Sequence, residues 1–317
     1  MKKEESEEVL PPVEIWNPAV SFKGKTAALW AHLSGKAPFF KAEEVVAAAD
    51  GHAWLVEADH FGPAAKALKE AEAVVVEDSK SLLESDFPAE DLPFFDMSLA
   101  AYLLDPTRVT YPLSYMAGLF EKPVIYPDDL DDMKEKGCCI TLFLASLYED
   151  AKKKLEENGV LSLFRKVEQP LVPVLAAMEK AGIATDQEKW RAVKEEMEKE
   201  ERLLMKEIFT EAGESFNLNS PKQLGHILFE KMGMPAGKKT KTGYSTNAEV
   251  LEKLKNKHPI IPAIMDYRML TKLKSTYADG LMKEIREDGR IRTTFQNLVT
   301  ATGRLSPTEP NLQNIPA

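Results

Sequence analysis

The sequence predicts an α/β domain followed by a mainly α domain, and three observations carry that prediction. Up to about residue 158, short apolar runs alternate with helix-like stretches. Beyond that point apolar residues recur at spacings of three, four and seven, the period of amphipathic helices. Charge divides at nearly the same place: residues 1–150 hold 13 Lys and Arg against 28 Asp and Glu, whereas residues 151–317 hold 28 against 23.

In chain order, Met1 to Glu14 is Glu-rich and leads into Pro11-Pro12, so residues 1–21 are expected to be an acidic tail or linker. The runs Thr26 to Trp30, Ala53 to Val56 and Ala73 to Val76 are expected as strands, with Pro63 to Ala71 as a helix between them. Phe95 to Leu104 predicts a buried helix stopped before Pro106, and Tyr115 to Phe120 a shorter one. Asn158-Gly159 predicts a helix C-cap and a domain boundary. Trp190, Val193, Met197, Leu204 and Ile208 form one apolar stripe on a long charged helix ended by Gly213. A second long helix is expected over Ile260 to Arg286, with Leu270, Leu273, Tyr277, Leu281 and Ile285 inward, packed antiparallel on the first as a stalk.

Between those helices, Ser220-Pro221-Lys222-Gln223 and Thr246-Asn247-Ala248-Glu249 predict capped helix starts, with Ser220 and Thr246 as caps. Helix N-termini present free N–H groups and a positive dipole end, which suit phosphate oxygens. The stretch Gly237 to Gly243 adds Lys238, Lys239 and Lys241 with no acid among them. A net charge of −10 excludes a uniformly basic polyanion binder, but the basic second half suits a polyanion that the acidic first half faces away from. No run of about eighteen apolar residues occurs and no signal-peptide core precedes the first domain, so the expected location is the cytoplasm, with no membrane partner. Cys138 and Cys139 are adjacent, which suits reduced thiols on a helix rather than a staple or a zinc site.

The last eighteen residues, Thr300 to Ala317, carry the most chemistry: prolines that fix φ, a Gly that permits close backbone approach, and Arg304, Asn311, Gln313 and Asn314 as directional hydrogen-bonding groups. Such side chains reach base edges and phosphates of nucleic acids. Thr300-Ala301-Thr302-Gly303-Arg304-Leu305-Ser306 followed by Glu309-Pro310-Asn311-Leu312-Gln313-Asn314-Ile315-Pro316 resembles the segment that enters the palm of family A DNA polymerases, the bacterial DNA polymerase I group. The resemblance extends back through Lys272 to Tyr277, Lys239 to Thr246, Phe216 to Leu224 and Glu168 to Leu171, and more faintly to Phe95 to Pro106. Ser306-Pro307 departs from the usual Ser-Ser, and Pro307 has no backbone N–H to donate.

The resemblance implies a ribonuclease H-like 3′–5′ exonuclease-type domain over residues 22–158, a helical thumb over 159–287, and the first strand and loop of the palm over 288–317. It implies that primer–template DNA is the partner, with Lys238, Lys239, Lys241, Ser220, Lys272 and Lys274 on the backbone and Arg304, Asn311, Gln313 and Asn314 at the primer end. In the family, the metal-binding Asp pair of the palm and the nucleotide-binding fingers follow the Asn311 to Pro316 segment. The expectation is therefore that Mg²⁺ and dNTPs belong to the complete enzyme, that this chain binds no cofactor and holds no catalytic residue, and that the palm and fingers come from a continuation or from a second chain. Nucleoid association follows from the same resemblance.

An active exonuclease domain of this type holds two divalent ions about 4 Å apart with carboxylates, because hard cations need oxygen ligands. Here the first motif position falls on Trp30 and His32, the second near Leu82, and the third on Gly137. Asp78, Asp96 and the run Asp128 to Asp132 lie nearby but off these positions. The expectation is a degenerate nuclease domain kept as a scaffold, with no metal site. Two other readings stay open: a stand-alone 3′–5′ exonuclease, and a non-catalytic DNA-binding protein.

Overall fold

A computed structural model describes residues 10–235, 239–240 and 243–315. They form two compact units, one of residues 1–182 and 292–317, the other of residues 183–291.

The first unit is built on a six-stranded sheet. Strand β1 (Val13–Ile15) pairs parallel with β4 (His52–Val56), which runs antiparallel to β3 (Phe39–Ala49), itself antiparallel to β2 (Thr26–Lys36). Beyond β2 lie β5 (Ala73–Val76) and β6 (Phe94–Asp96), both parallel. All four residues of β5, Ala-Val-Val-Val, are buried, as a strand covered on both faces requires. Along β3 the period of two sends Val45, Ala47 and Ala49 into the main core and Val46 and Ala48 into a smaller cluster with Cys138. Helices α1 (Phe61–Leu68), α2 (Ser79–Leu83), α3 (Met97–Leu104), α4 (Leu113–Leu119) and α5 (Met133–Glu157) follow in order. The long α5 packs on β2 and β3. A single turn, α6 (Leu161–Leu163), leads through a wide turn into α7 (Gln169–Ala181).

Three expectations for this unit are corrected. Residues 13–21 are not tail: β1 joins the sheet, and Trp16 and the nearby Phe22 are fully buried. The expected helix from Phe95 begins only at Met97, because Phe95 and Asp96 extend the parallel sheet beside β5 and Asp96 then caps the helix. The third concerns α7, which groups with this unit instead of following the division at 158, since Phe164, Val172 and Ala176 lie in its main core.

In the second unit, β7 (Ile183–Ala184) pairs antiparallel with β10 (Arg290–Ile291), closing the ends of the segment. Between them run α8 (Gln187–Ala212), α9 (Pro221–Gly225), the short pair β8 (Lys239–Thr240) and β9 (Gly243–Tyr244), α10 (Ala248–Leu254), α11 (Ile260–Leu273) and α12 (Gly280–Glu284). Helix α8 ends where Gly213 takes a left-handed conformation, φ +73°, and its N–H returns to the Phe209 carbonyl. Glu201 meets Lys274 at 2.6 Å and Lys194 meets Asp279 at 2.6 Å, so α8 and the α11–α12 run are antiparallel. That run is not one regular helix to Arg286: its backbone widens over Lys274–Asp279 and becomes extended at Ile285.

The chain returns to the first unit with β11 (Thr294–Gln296) and β12 (Ser306–Thr308), an antiparallel pair in which Phe295 faces Pro307.

Candidate nucleic-acid interface

The terminal hairpin of the first unit places the best-marked sequence motif. Between its strands, Thr300 to Arg304 makes a turn in which Gly303, at φ +74°, donates its N–H to the Thr300 carbonyl, and the Thr300 hydroxyl donates to the Arg304 carbonyl. Tyr102 on α3 donates its hydroxyl to the same Thr300 carbonyl at 2.8 Å. After β12, the buried Thr293 hydroxyl lies 3.0 Å from the Thr308 carbonyl and 2.7 Å from that of Pro310. The backbone is thus held from inside while Arg304, Asn311, Gln313 and Asn314 are all exposed. Asn311 accepts from the Gln313 N–H at 3.0 Å, which fixes the spacing of two of these side chains.

Pro307 fits this hairpin because its partner residue looks elsewhere. The N–H of Phe295 donates to Glu179 Oε1 at 2.8 Å, and its carbonyl accepts from Lys80 Nζ at 2.7 Å. Neither group is spent on Pro307, so the missing N–H costs no ladder bond.

Lys80 and Glu179 themselves lie 3.0 Å apart and are both buried. Sequence reasoning missed this pair, since Lys80 in Asp78-Ser79-Lys80 looks like an ordinary first-turn residue. Glu84, one turn further along, is also buried and carries an oxygen without a partner, as does Glu179. Burial, together with the neighbouring Glu179 carboxyl, pushes the Glu84 carboxyl up to about 8.

The three nuclease-motif positions also converge, though not as a metal site. Trp30 and Leu82 line one cleft of about 520 Å³ with Glu77, Asp78 and Ser98. Gly137 lies directly against the Trp30 ring: a Cβ there would sit 2.7 Å from Trp30 Cε3 and 2.6 Å from Val46 Cγ2. His32 is exposed. Asp78 of the cleft and the adjoining Asp96 are committed to helix capping. Asp78 accepts from the N–H groups of Lys80 and Ser81 at the start of α2. Asp96 accepts from the Ser79 N–H and hydroxyl, both at 2.7 Å, and from Leu99 N–H at the start of α3. Burial raises Asp96 to about 7 and Glu77 to about 6. Gln169 of α7 closes the arrangement, accepting from the Asp96 N–H at 2.9 Å. In the run Asp128 to Asp132, Asp128 pairs with Lys136 and Asp132 caps α5. Glu57, Asp59 and His60, whose ligand atoms lie within 4.8 Å of one another, are on the turn before α1 and away from the cleft.

In the second unit, Ser220 caps α9, but Gln223 reaches the Asn217 N–H at 2.7 Å rather than the cap residue. The expected Thr246 cap is corrected: Asn247 caps α10, while Thr246 is buried and engaged by Arg268 through both its carbonyl and its hydroxyl. Lys272 is exposed and Lys274 is engaged by Glu201. Lys238 and Lys241 lie outside the described residues, and of Lys239 only the backbone, in β8, is described. Among the described residues no helix is long and apolar enough to cross a membrane.

Exposed Arg and amide side chains on a hairpin whose backbone is held internally form the kind of surface that contacts nucleic acids. Residues 187–317 match the family described as DNA polymerase family A, and over these residues the chain belongs to that family. It is 44% identical over 222 residues to DNA polymerase I of Caldicellulosiruptor bescii and 42% identical over 236 residues to that of Bacillus subtilis, in each case over 70% of this chain. The chain spans about a quarter of the length of these curated relatives, 26% and 27%. A solved structure described as the POL domain of Pol1 from M. smegmatis, in complex with DNA primer-template and dNTP, superposes with a TM-score of 0.74 at 30% identity. The match covers 93% of this chain and 52% of that one.

Proposed function

We propose that this chain is the DNA-gripping part of a DNA polymerase I-like enzyme, a DNA-directed DNA polymerase that acts in replication and repair. The observation that carries the reading is the terminal hairpin, whose backbone is held internally while Arg304, Asn311, Gln313 and Asn314 face outward, in a chain similar over 93% of its length to a polymerase domain solved with primer–template DNA. In this reading residues 13–182 are a ribonuclease H-like exonuclease-type domain with α7 packed on it, 183–291 the thumb and 292–317 the start of the palm. Arg304, Asn311, Gln313 and Asn314 position the primer end, while Lys238, Lys239, Lys241, Ser220, Lys272 and Lys274 face phosphates. A location in the cytoplasm, at the nucleoid, belongs to the same reading.

Trp30, Leu82 and Gly137 offer no oxygen ligand at the three nuclease-motif positions, so two-metal hydrolysis does not fit the cleft and no step is assigned to it. That weighs against the stand-alone exonuclease. Mg²⁺ and dNTPs belong to the complete polymerase, and a polypeptide of residues 1–317 assayed alone is expected to incorporate no nucleotide.

Salt dependence of DNA binding tests the reading. Duplex affinity is expected to fall with salt, with a log–log slope of about 0.9 for each phosphate neutralised. Replacing Lys238, Lys239 and Lys241 by Ala is expected to weaken binding for every sequence alike and to flatten the slope by roughly two to three. Equal slopes for the triple variant and the parent, by fluorescence anisotropy, remove the Lys contacts from the reading.

A further inference from the structure

We infer that Tyr102, Lys80 and Glu179 are positioning residues for Arg304: they fix the terminal hairpin in the one shape that presents this side chain to a primer–template junction. The inference rests on the DNA-binding reading above and extends it to three residues that lie outside the loop and touch no DNA in that reading.

The geometry is a clamp with two jaws. At the base of the hairpin, Lys80 from α2 and Glu179 from α7 take both backbone groups of Phe295, at 2.7 and 2.8 Å. The two side chains thereby stand in for a neighbouring strand, and their mutual ion pair at 3.0 Å keeps donor and acceptor in register. Because Phe295 faces Pro307, which has no N–H to give, the facing residue cannot take over the Lys80 bond to the Phe295 carbonyl. At the tip, Tyr102 from α3 holds the Thr300 carbonyl at 2.8 Å, the same oxygen that receives the Gly303 N–H one residue before Arg304. Tyr102 is almost fully buried and its ring packs edge-on against Tyr111, 6.2 Å between centroids, so its hydroxyl is aimed by packing rather than free to follow the loop. Helix α2 begins at Asp78, which lines the cleft, and α3 begins at Asp96, which also bonds Ser79 of α2. The unit that no longer fits a nuclease thus supplies the groups that hold the primer-end loop.

Tyr102→Phe removes only the hydroxyl and keeps the ring. In this variant, amide hydrogen exchange over residues 300–304 is expected to accelerate about tenfold, the equivalent of one lost hydrogen bond, with peptides from β2, β3 and α5 unchanged. Its preference for a primer–template junction over blunt duplex, measured by anisotropy, is expected to fall about fivefold while affinity for blunt duplex stays within about twofold of the parent. Lys80→Met should loosen the β11 peptide in the same assay, and the conservative Lys80→Arg should restore part of that protection. Unchanged exchange over 300–304 in Tyr102→Phe overturns the inference. So does faster exchange with an intact junction preference when Arg304→Ala loses it, since the loop would then be released without consequence. If Arg304→Ala itself leaves the junction preference intact, the primer-end contact fails on its own, and unaltered junction preference in Tyr102→Phe then overturns the inference as well.

Discussion

The cleft of the first unit and the hairpin beside it use the same kinds of group in opposite ways. Around the cleft, polar side chains are used up by the backbone: Asp78 and Asp96 spend their oxygens on the first turns of α2 and α3, and Gln169 is bonded to the Asp96 N–H. In the hairpin, the backbone carries the internal bonds and the side chains of Arg304 and Gln313 are left at the surface. A carboxylate that caps a helix has little lone-pair capacity left for a cation, whereas a loop tied through its carbonyls keeps its side chains available for a partner. On the proposed reading, the contrast is between acids spent on helix capping and a loop whose side chains remain for DNA within the same unit.

The largest expected effect comes from breaking the cluster that joins the two regions. Glu179→Ala leaves the buried Lys80 ammonium without its counter-ion and the Phe295 N–H without an acceptor. Removing one partner of a buried pair costs about 3–5 kcal/mol, so urea unfolding of the first unit should shift by that order. An effect below about 1 kcal/mol, the range of exposed pairs, would show that the cluster is wet and that the hairpin is held by other contacts.

A smaller effect follows from the raised carboxyls. Glu84 has its carboxyl raised by burial from the ordinary 4.5 to about 8, with Glu77 and Asp96 raised in the same direction to about 6 and about 7. A raised carboxyl binds protons more tightly in the folded state, so its contribution is complete below the unfolded pKa near 4.5 and is lost as pH climbs through the folded value. Stability is therefore expected to decline from about pH 5 to about pH 8 and then level. Glu84→Gln, which keeps a neutral hydrogen-bonding side chain at that place, should flatten the upper part of this decline, leaving the Glu77 and Asp96 contributions below about pH 7. A parent stability that rises between about pH 6 and pH 8, followed by thermal unfolding at low salt, would show that the fold does not hold Glu84 protonated.

Local pattern carried much of the fold. The Ala73 to Val76 run and the Gly213 stop each rest on signals confined to a few residues, and the structure has β5 and a left-handed Gly213 there; of the stripe expected on α8, Ile208 is buried and Leu204 packs on the core, but Val193 is exposed. What local pattern did not carry depends on distant partners. Strand β3 holds Lys41, Glu43 and Glu44, which interrupt the apolar signal; Lys41 and Glu43 pair with each other at its exposed end while Val45 onward is buried. Asn247 takes the cap that Thr246 was expected to provide because Arg268, twenty-two residues away, already holds the Thr246 hydroxyl. Within the candidate site, Arg304 and the amides were legible from their order, but Lys80 and Glu179 were not. They are ninety-nine residues apart, and nothing in either neighbourhood marks a buried charge.

The smallest expected effect separates capping from metal binding at Asp78. As a cap, Asp78 needs only an acceptor oxygen at the start of α2, and Asn serves an N-cap about as well as Asp. Asp78→Asn should then leave stability within about 0.5 kcal/mol of the parent, while Asp78→Ala should lose about 1 kcal/mol. A metal ligand would behave differently, because hard divalent ions depend on the carboxylate charge and Asn would be nearly as damaging as Ala. The comparison is made by unfolding each variant with and without Mg²⁺ or Mn²⁺, and by following a 3′-labelled single strand in the same preparations. Equal losses in both variants, a midpoint that rises with metal only in the parent, or metal-dependent trimming that the Asn variant abolishes, would return the cleft to nuclease chemistry and erase its difference from the hairpin.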